Sequence, residues 1–267
     1  MRTLAEQIQR TTAPHGSVAL WWLAQAGFVF KNDSGKVIYL DPYLSNVVEK
    51  AFGFKRLSLA PIEAEEVRAH WVINSHEHLD HLDTEALPII AQNNPRCRFA
   101  GPKSCQSEYE KCGISPERQL IIEPGRRYEL DGISLYTARA DHGELSPDAL
   151  ALLLDFGEVS ILFSGDTALN LEWLQSLVDR KPDVLLPCIN GRFGNLDSVE
   201  AARLTAAARP RLAVPCHFWM FKEHNGDPES YIQACAQICP SVEVELLGPG
   251  EGIVVTPQSI EFNQEKR

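Results

Sequence analysis

The sequence contains no Cys-x-x-Cys pair and no run of about 18 apolar residues. Its seven cysteines are an odd number spread from Cys97 to Cys239, which does not suit a disulfide framework or a cysteine zinc site. We therefore expect buried, reduced thiols. The missing apolar run argues against a transmembrane helix, and residues 1–12 lack the apolar stretch of a signal peptide. These absences predict a cytoplasmic protein with no membrane partner.

Positive charge is also scarce, since 25 lysines and arginines stand against 36 aspartates and glutamates, for a formal net charge of −11. This balance argues against a nucleic acid partner, although local positive charge could still capture one small anion. Apolar residues make up 44% of the chain, enough for a sizeable core. No linker or repeat divides the sequence, so we expect a single domain over 1–267 with a frayed tail at about 261–267. A homo-oligomer is compatible with this composition.

The order of predicted elements indicates the class of fold. Strand-rich stretches come first, and strands then alternate with helices, a pattern that suits stacked sheets with helices outside. The predicted strands are 18–30, 37–40, 71–74, 133–137, 150–156, 159–163, 184–186 and 212–214. The predicted helices are 4–10, 84–92, 171–178, 198–208 and 228–238.

The run HEHLDH at residues 76–81 places three histidines and two carboxylates directly after an apolar strand. If the extended geometry persists, His76 and His78 project to the same side and can bind one ion. Asp80 and His81 cannot share one direction unless the chain turns, so they suit a second ion, or one ligand and one general base. A hydrolase needs such a site because a divalent ion lowers the pKa of bound water from about 15.7 toward 7.

Three further candidate ligands, His142, Asp166 and His217, each follow a predicted strand. Residues at points where a strand opens into a loop commonly build sites on a rigid scaffold. Together with the run at 76–81 they supply five histidines and two aspartates, enough for two divalent ions. The residues therefore predict a binuclear metal site.

With these residues in order, the chain resembles the metallo-β-lactamase superfamily over about residues 18–255. The resemblance implies an α/β fold, a four-layer αββα sandwich with the metals at one edge between the two sheets, and zinc is the general expectation for this fold. It also implies a division of the ligands: His76, His78 and His142 for the first ion, Asp80, His81 and His217 for the second, and Asp166 as the bridge.

Five segments carry a narrower resemblance: 22–28, 41–45, 55–57, 190–195 and 217–221. They are similar to the L-ascorbate-6-phosphate lactonase-like branch. This resemblance implies a lactonase acting on a sugar-acid lactone, with or without a phosphate group, and it adds manganese to zinc as a candidate metal. Trp219 departs from the aspartate that this branch often carries, and Ala24 stands in place of an expected glycine.

Other polar and aromatic residues are candidates for the surroundings of the metals. Asp41 ends a predicted strand, where it either forms a turn or orients a metal-binding histidine. Arg192, with Asn190 and Asn195, could bind an anionic small-molecule substrate through its guanidinium fork. The Asn-Gly and Gly-Asn pairs around it are equally typical of turns. Trp219 is the tryptophan expected to line the pocket.

The predicted reaction is lactone hydrolysis by a metal-bound hydroxide, with Asp80 accepting and returning a proton and Arg192 holding the distal anion. One alternative is a phosphodiesterase acting on a small diester, since two ions can also clamp an in-line displacement. Another is a non-catalytic metal-binding sensor or scaffold, which a closed and fully coordinated site would favour. His224 is predicted to be a loop residue and not a ligand.

Overall fold

The computed structural model describes residues 2–262, and within them fifteen strands and seven α-helices. The strands are β1 Val18–Trp22, β2 Phe28–Asn32, β3 Val37–Leu40, β4 Trp71–Ile73, β5 Arg98–Gly101, β6 Gln119–Ile121, β7 Arg127–Leu130, β8 Ile133–Arg139, β9 Leu150–Asp155, β10 Ser160–Phe163, β11 Val184–Leu186, β12 Leu212–Ala213, β13 Glu243–Val244, β14 Gly252–Val255 and β15 Ile260–Phe262. The helices are α1 Leu4–Arg10, α2 Val47–Phe52, α3 Ala86–Asn93, α4 Lys103–Lys111, α5 Leu171–Val178, α6 Ser198–Ala208 and α7 Pro228–Ile238.

The strands form two mixed sheets. The first has eight strands in the order β15-β14-β1-β2-β3-β4-β5-β6, and the second has seven in the order β13-β12-β11-β10-β9-β8-β7. In each sheet one part is antiparallel, and the other part, β3 to β6 or β10 to β13, is parallel. Helices connect the parallel strands, as parallel pairing requires a long crossover.

Strand β1 shows why the sheets are stacked in layers. Val18 and Leu20 belong to the core that joins the first sheet to Leu152 of the second sheet. The alternate residue Trp21 belongs to a separate core with Leu87 of α3, because successive side chains of a strand point to opposite faces. Helices α5 to α7 pack on the second sheet. The result is a four-layer αββα sandwich, which confirms the predicted α/β fold.

The predicted continuous strand 18–30 was wrong, because the chain reverses between β1 and β2. Ala24 and Gln25 have φ values of 69° and 49°, in the left-handed region that ends a strand. The N–H of Leu23 donates to the carbonyl oxygen of Gly27 at 2.8 Å and closes the turn. An apolar sequence hid this turn, since all five residues of the turn are buried.

Most other predicted elements are present. Helices α1, α5, α6 and α7 have the predicted bounds, and α3 starts two residues later than predicted. Glu261 pairs with Val254, so the first part of the predicted frayed tail is a strand, while residues 263–267 lie outside the described residues. All seven cysteines are free and buried, as expected. Between residues 2 and 262, no helix is long and apolar enough to cross a membrane.

Candidate metal centre

Hydrogen bonds from neighbouring segments fix the position of the histidine run, which follows β4. The N–H of Asn74 donates to the carbonyl oxygen of Ala100 at 2.8 Å, which extends the pairing of β4 with β5. Its side-chain Nδ2 donates to the carbonyl oxygen of His81 at 2.7 Å, and the Tyr109 hydroxyl donates to its Oδ1 at 2.9 Å. Asn74 therefore fixes both ends of the run, the start through its backbone N–H and the end through its side-chain amide.

The run turns after its second histidine, as the sequence required for Asp80 and His81 to join the site. The N–H of His81 donates to the carbonyl oxygen of His78 at 2.9 Å. Before the turn, Nε2 of His76 lies 2.9 Å from Nδ1 of His78, so these two rings do meet on one side as predicted.

Asp166 reaches the site from the second sheet, through a tight turn after β10. Gly165 has a φ of 63°, and a Cβ placed on it would lie 2.4 Å from the carbonyl oxygen of Leu150. Only glycine tolerates both this conformation and this approach. The turn presents the carboxylate of Asp166 to the histidines of the first sheet.

His142 and His217 also follow strands of the second sheet, β8 and β12. His217 has a φ of 63°, and its N–H donates to the carbonyl oxygen of Gln25 at 2.8 Å. This bond ties the end of β12 to the turn between β1 and β2. The site is therefore assembled from strand ends of both sheets.

The side chains of the seven predicted metal ligands converge. Oδ1 of Asp166 lies 3.4 Å from Nε2 of His81 and 3.3 Å from Nε2 of His217, and its Oδ2 lies 3.9 Å from Nε2 of His142. Asp166 thus reaches ligands of both predicted ions, as a bridging carboxylate must. Three groups have ligand atoms within 4.8 Å of one another: His76, His78 and His142; His76, His81 and Asp166; Asp80, His81 and His217.

The donor atoms fit a divalent metal. Both ring nitrogens of His142 and Oδ1 of Asp166 are buried without a hydrogen-bond partner among the described residues. Buried polar atoms are normally satisfied, so a cluster of such atoms on metal-binding side chains indicates a ligand. A set of imidazoles and carboxylates without thiolate accepts zinc, manganese or iron.

Asp41 holds one of the histidines in place. Its Oδ2 lies 2.7 Å from Nδ1 of His81, and both side chains are fully buried. The carboxylate also accepts hydrogen bonds from the backbone N–H and the hydroxyl of Ser75, at 2.7 and 2.6 Å. The contact leaves Nε2 of His81 facing the other ligands, which is how carboxylates orient metal-binding histidines.

Charges within the cluster are strongly coupled. Burial lowers the pKa of His76 well below its ordinary value. Burial also opposes the charged form of His81, but Asp166 and Asp80 outweigh it and raise its pKa well above the ordinary value. Burial likewise opposes the charge of Asp80, but His81 and His217 outweigh it and hold the pKa of Asp80 well below its usual value.

Two amides touch the ligands directly. Nε2 of Gln25 donates to Oδ2 of Asp80 at 2.6 Å and lies 3.2 Å from Nε2 of His217. Nδ2 of Asn195 donates to Oδ2 of Asp166 at 2.6 Å, so Asn195 contacts a metal ligand instead of lining the substrate cleft. Sequence reasoning missed Gln25, although it is the only polar side chain in residues 18–30.

A cleft of about 410 Å³ opens over the ligand cluster. His224 lines it from a loop, as predicted, and stacks on His217 with ring centroids 4.8 Å apart. Among the described residues, neither lysine nor arginine lines this cleft. Its apolar lining consists of Val48, Phe52, Phe54, Leu79, Leu145, Phe193 and Phe221.

Of the predicted substrate-binding residues, some line this cleft and others lie outside it. Asn190 lines it, and its buried Oδ1 has no partner among the described residues. Arg192 is exposed outside the lining, because it begins a turn in which its carbonyl oxygen accepts from the N–H of Asn195. Trp219 also lies outside, 63% exposed, since a φ of 55° turns it away from its buried neighbours. Arg192 and Trp219 therefore lie outside the lining of this cleft, and their roles in substrate binding stay predictions.

Known sequences resemble this chain over most of its length. A family model described as a β-lactamase superfamily domain matches residues 19–217. A UPF0173 metal-dependent hydrolase of Aeropyrum pernix is 28% identical over 246 residues, covering 87% of this chain and 95% of the relative. A protein of Shigella dysenteriae named probable L-ascorbate-6-phosphate lactonase UlaG is 23% identical over 272 residues, covering 85% of this chain and 76% of the relative.

Solved structures share the fold. Igni18, a metallo hydrolase from Ignicoccus hospitalis, superposes with a TM-score of 0.70 at 21% identity, covering 90% of this chain and 98% of that chain. An isothiocyanate hydrolase from Delia radicum gut bacteria superposes with a TM-score of 0.71 at 17% identity, covering 90% and 99%. At these identities the likeness concerns the fold alone.

Proposed function

Because the chain belongs to the metallo-β-lactamase superfamily and is a metal-dependent hydrolase, we propose that it hydrolyses the ester bond of a lactone at a centre of two divalent ions. The observation that carries this proposal is the pair of three-residue ligand groups joined by Asp166 at the floor of an open cleft. A non-catalytic sensor would be better served by a closed site with no position for water. The name of the Shigella relative supports a lactone as substrate.

In this proposal each ligand keeps the role expected from the sequence, and the metal is zinc or manganese. The ions would lower the pKa of a water molecule and polarise the carbonyl group of the substrate. The ligands would be His76, His78 and His142 for one ion, Asp80, His81 and His217 for the other, and Asp166 for both.

Asp80 is the proposed proton acceptor. It lies on the cleft floor, and Gln25 donates to its Oδ2 and holds the carboxylate in position. Asp80 would take a proton from the attacking water and return it to the ring oxygen as the carbon–oxygen bond breaks. The reaction is balanced, since one water and one lactone give one hydroxy acid.

The substrate is a small molecule in this proposal. The cleft volume of about 410 Å³ lies within the range of typical small-molecule sites. We do not extend the proposal to a phosphorylated sugar acid, because Arg192, the residue expected to hold the phosphate, does not line the cleft.

The test combines metal analysis of the purified protein with hydrolysis assays on γ-butyrolactone, glucono-δ-lactone, L-ascorbate 6-phosphate and bis-p-nitrophenyl phosphate. We expect about two zinc or manganese ions per chain, lactone turnover, and loss of turnover after chelation that the metal restores. Diester cleavage without lactone turnover would show that the protein is a phosphodiesterase and not a lactonase. Failure to bind metal, even after growth with added metal, would remove its premise.

A further inference from the structure

We infer that the substrate carries an uncharged apolar substituent, an alkyl chain or an aromatic ring, which packs against one wall of the cleft. This inference rests on the proposed function for the reacting group, but the substituent is inferred from the wall alone. We call this wall the aromatic wall, and it consists of Phe52, Phe54, Phe193 and Phe221.

The four rings form a continuous apolar surface. Phe54 is at its centre, with ring centroids 6.4 Å from Phe52, 6.3 Å from Phe193 and 6.2 Å from Phe221. Phe52 ends α2 and Phe54 follows it, whereas Phe193 lies in a turn and Phe221 in a loop. The wall is therefore formed by three separate segments of the chain. Aromatic groups at such distances present a broad apolar face to a ligand.

The aromatic wall leads to the ligand cluster. The ring of His224 lies 5.1 Å from Phe221 and 5.9 Å from Phe193, and it stacks on His217 at 4.8 Å. A carbonyl group placed at the metal ligands would therefore have its nearest substituent beside His224 and Phe221. A longer substituent would continue over Phe54 and Phe193 toward solvent.

Two rings of the wall remain in water where the cleft opens. Phe52 is 64% exposed and Phe193 is 48% exposed, whereas Phe221 is buried at 2%. Exposed apolar side chains clustered at a cleft mark ligand-binding surfaces more often than isolated ones do. Covering these rings with an apolar substituent would remove their surface from water and favour binding.

Charge at the cleft argues against an anionic substituent. Glu77, Asp80 and Asp166 line the cleft, and no lysine or arginine accompanies them within residues 2–262. Arg56 lies outside the lining of the cleft, where its Nε donates to the carbonyl oxygen of Ser58 and its Nη1 donates to that of Ser45. A distal phosphate would therefore meet apolar rings and carboxylates along the walls, where it would lose hydration without gaining a cationic partner.

The experiment measures kcat/KM of the metal-loaded protein for γ-butyrolactone, γ-hexalactone and γ-decalactone, with L-ascorbate 6-phosphate for comparison. We expect kcat/KM to rise about threefold to fourfold per added methylene until the wall is covered. Phe193→Ala should lower the value for γ-decalactone about tenfold, and more than it lowers the value for γ-butyrolactone. Leu59→Ala is the matched control, since Leu59 is 88% exposed and lies outside the cleft, and it should change neither value.

A second measurement does not depend on turnover. Calorimetric titration with γ-lactams of the same chain lengths should show tighter binding for longer chains, and Phe193→Ala should remove that gain. Equal lactam affinities at all chain lengths, or a preference of the active enzyme for L-ascorbate 6-phosphate, would overturn the inference and leave the lactonase proposal standing. Chain-dependent lactam binding without hydrolysis of any lactone would overturn the lactonase proposal alone.

Discussion

The floor of the cleft, which consists of the metal ligands and the residues that support them, differs from the aromatic wall in the interactions that hold it. On the floor, His76 and His81 are fully buried, and Asp41 fixes the ring of His81 by a hydrogen bond of 2.7 Å. On the wall, Phe52 is 64% exposed and contacts Phe54 through ring packing alone among the described contacts. The floor depends on directional bonds, whereas the wall depends on shape and apolar surface.

This difference separates the reaction from the choice of substrate. Hydrogen bonds and metal ligation tolerate little displacement, which is why the floor residues lie at the ends of strands. Apolar contacts are non-directional, so the wall can be carried by loops and by the short helix α2. Changes in the wall should alter the substrate, and changes in the floor should abolish the reaction.

The largest effect is expected for Asp166→Asn, which breaks the floor. The amide removes the charge shared by both ligand groups, so we expect activity and metal affinity to fall by at least about a hundredfold, more than for the loss of a group that only orients a ligand. Metal analysis and lactone hydrolysis measure the effect. Asp179→Asn, an exposed aspartate that follows α5, is the control. Full metal content in Asp166→Asn would contradict the bridging role.

Asp41→Asn should have the next largest effect, because it weakens the support of one ligand. The amide cannot accept all the hydrogen bonds from Ser75 and His81, and we expect metal affinity to fall about 10-fold to 100-fold. The measurement is a competition titration with a coloured chelator. Asp33→Asn is a matched control, since Asp33 also contacts a histidine, His15 at 2.9 Å, but in a pair whose histidine is 94% exposed. An unchanged affinity for Asp41→Asn would show that the contact does not orient His81.

Gln25→Ala should have a smaller effect, since it removes one donor from Asp80. A hydrogen bond to a charged group contributes about 1.5–3 kcal/mol, and we expect kcat to fall about tenfold while metal content is kept. Gln175→Ala removes an amide that also donates to a carboxylate, that of Asp179, but on the surface, and it should leave kcat unchanged. Equal losses in both variants would argue against a role of Gln25 at the site.

The smallest effect is expected for truncating an exposed ring of the wall. Phe52→Ala should change the free energy of unfolding by no more than about 0.5 kcal/mol, because exposed side chains contribute little to folding. Phe221→Ala removes a buried ring of the same wall and should cost about 3–5 kcal/mol. Urea denaturation measures both. A large loss for Phe52→Ala would mean that the wall is held as rigidly as the floor.

Local sequence pattern was enough to select the candidate metal ligands. His76 and His78 alternate after an apolar strand, and His142, Asp166 and His217 each follow one, so local pattern was enough to select them. Local pattern also predicted the bounds of α5, α6 and α7. These signals are readable because each depends on residues that are close together along the chain.

The residues that surround the ligands could be identified only from the folded chain. Gln25 joins Asp80, and Asn195 joins Asp166, across contacts between distant segments. A left-handed backbone turns Trp219 outward, while the wall includes Phe193, which no local pattern had marked. Which of two aromatic residues faces a cleft depends on backbone torsions and on the meeting of separate loops, and neither leaves a periodic signal in the sequence.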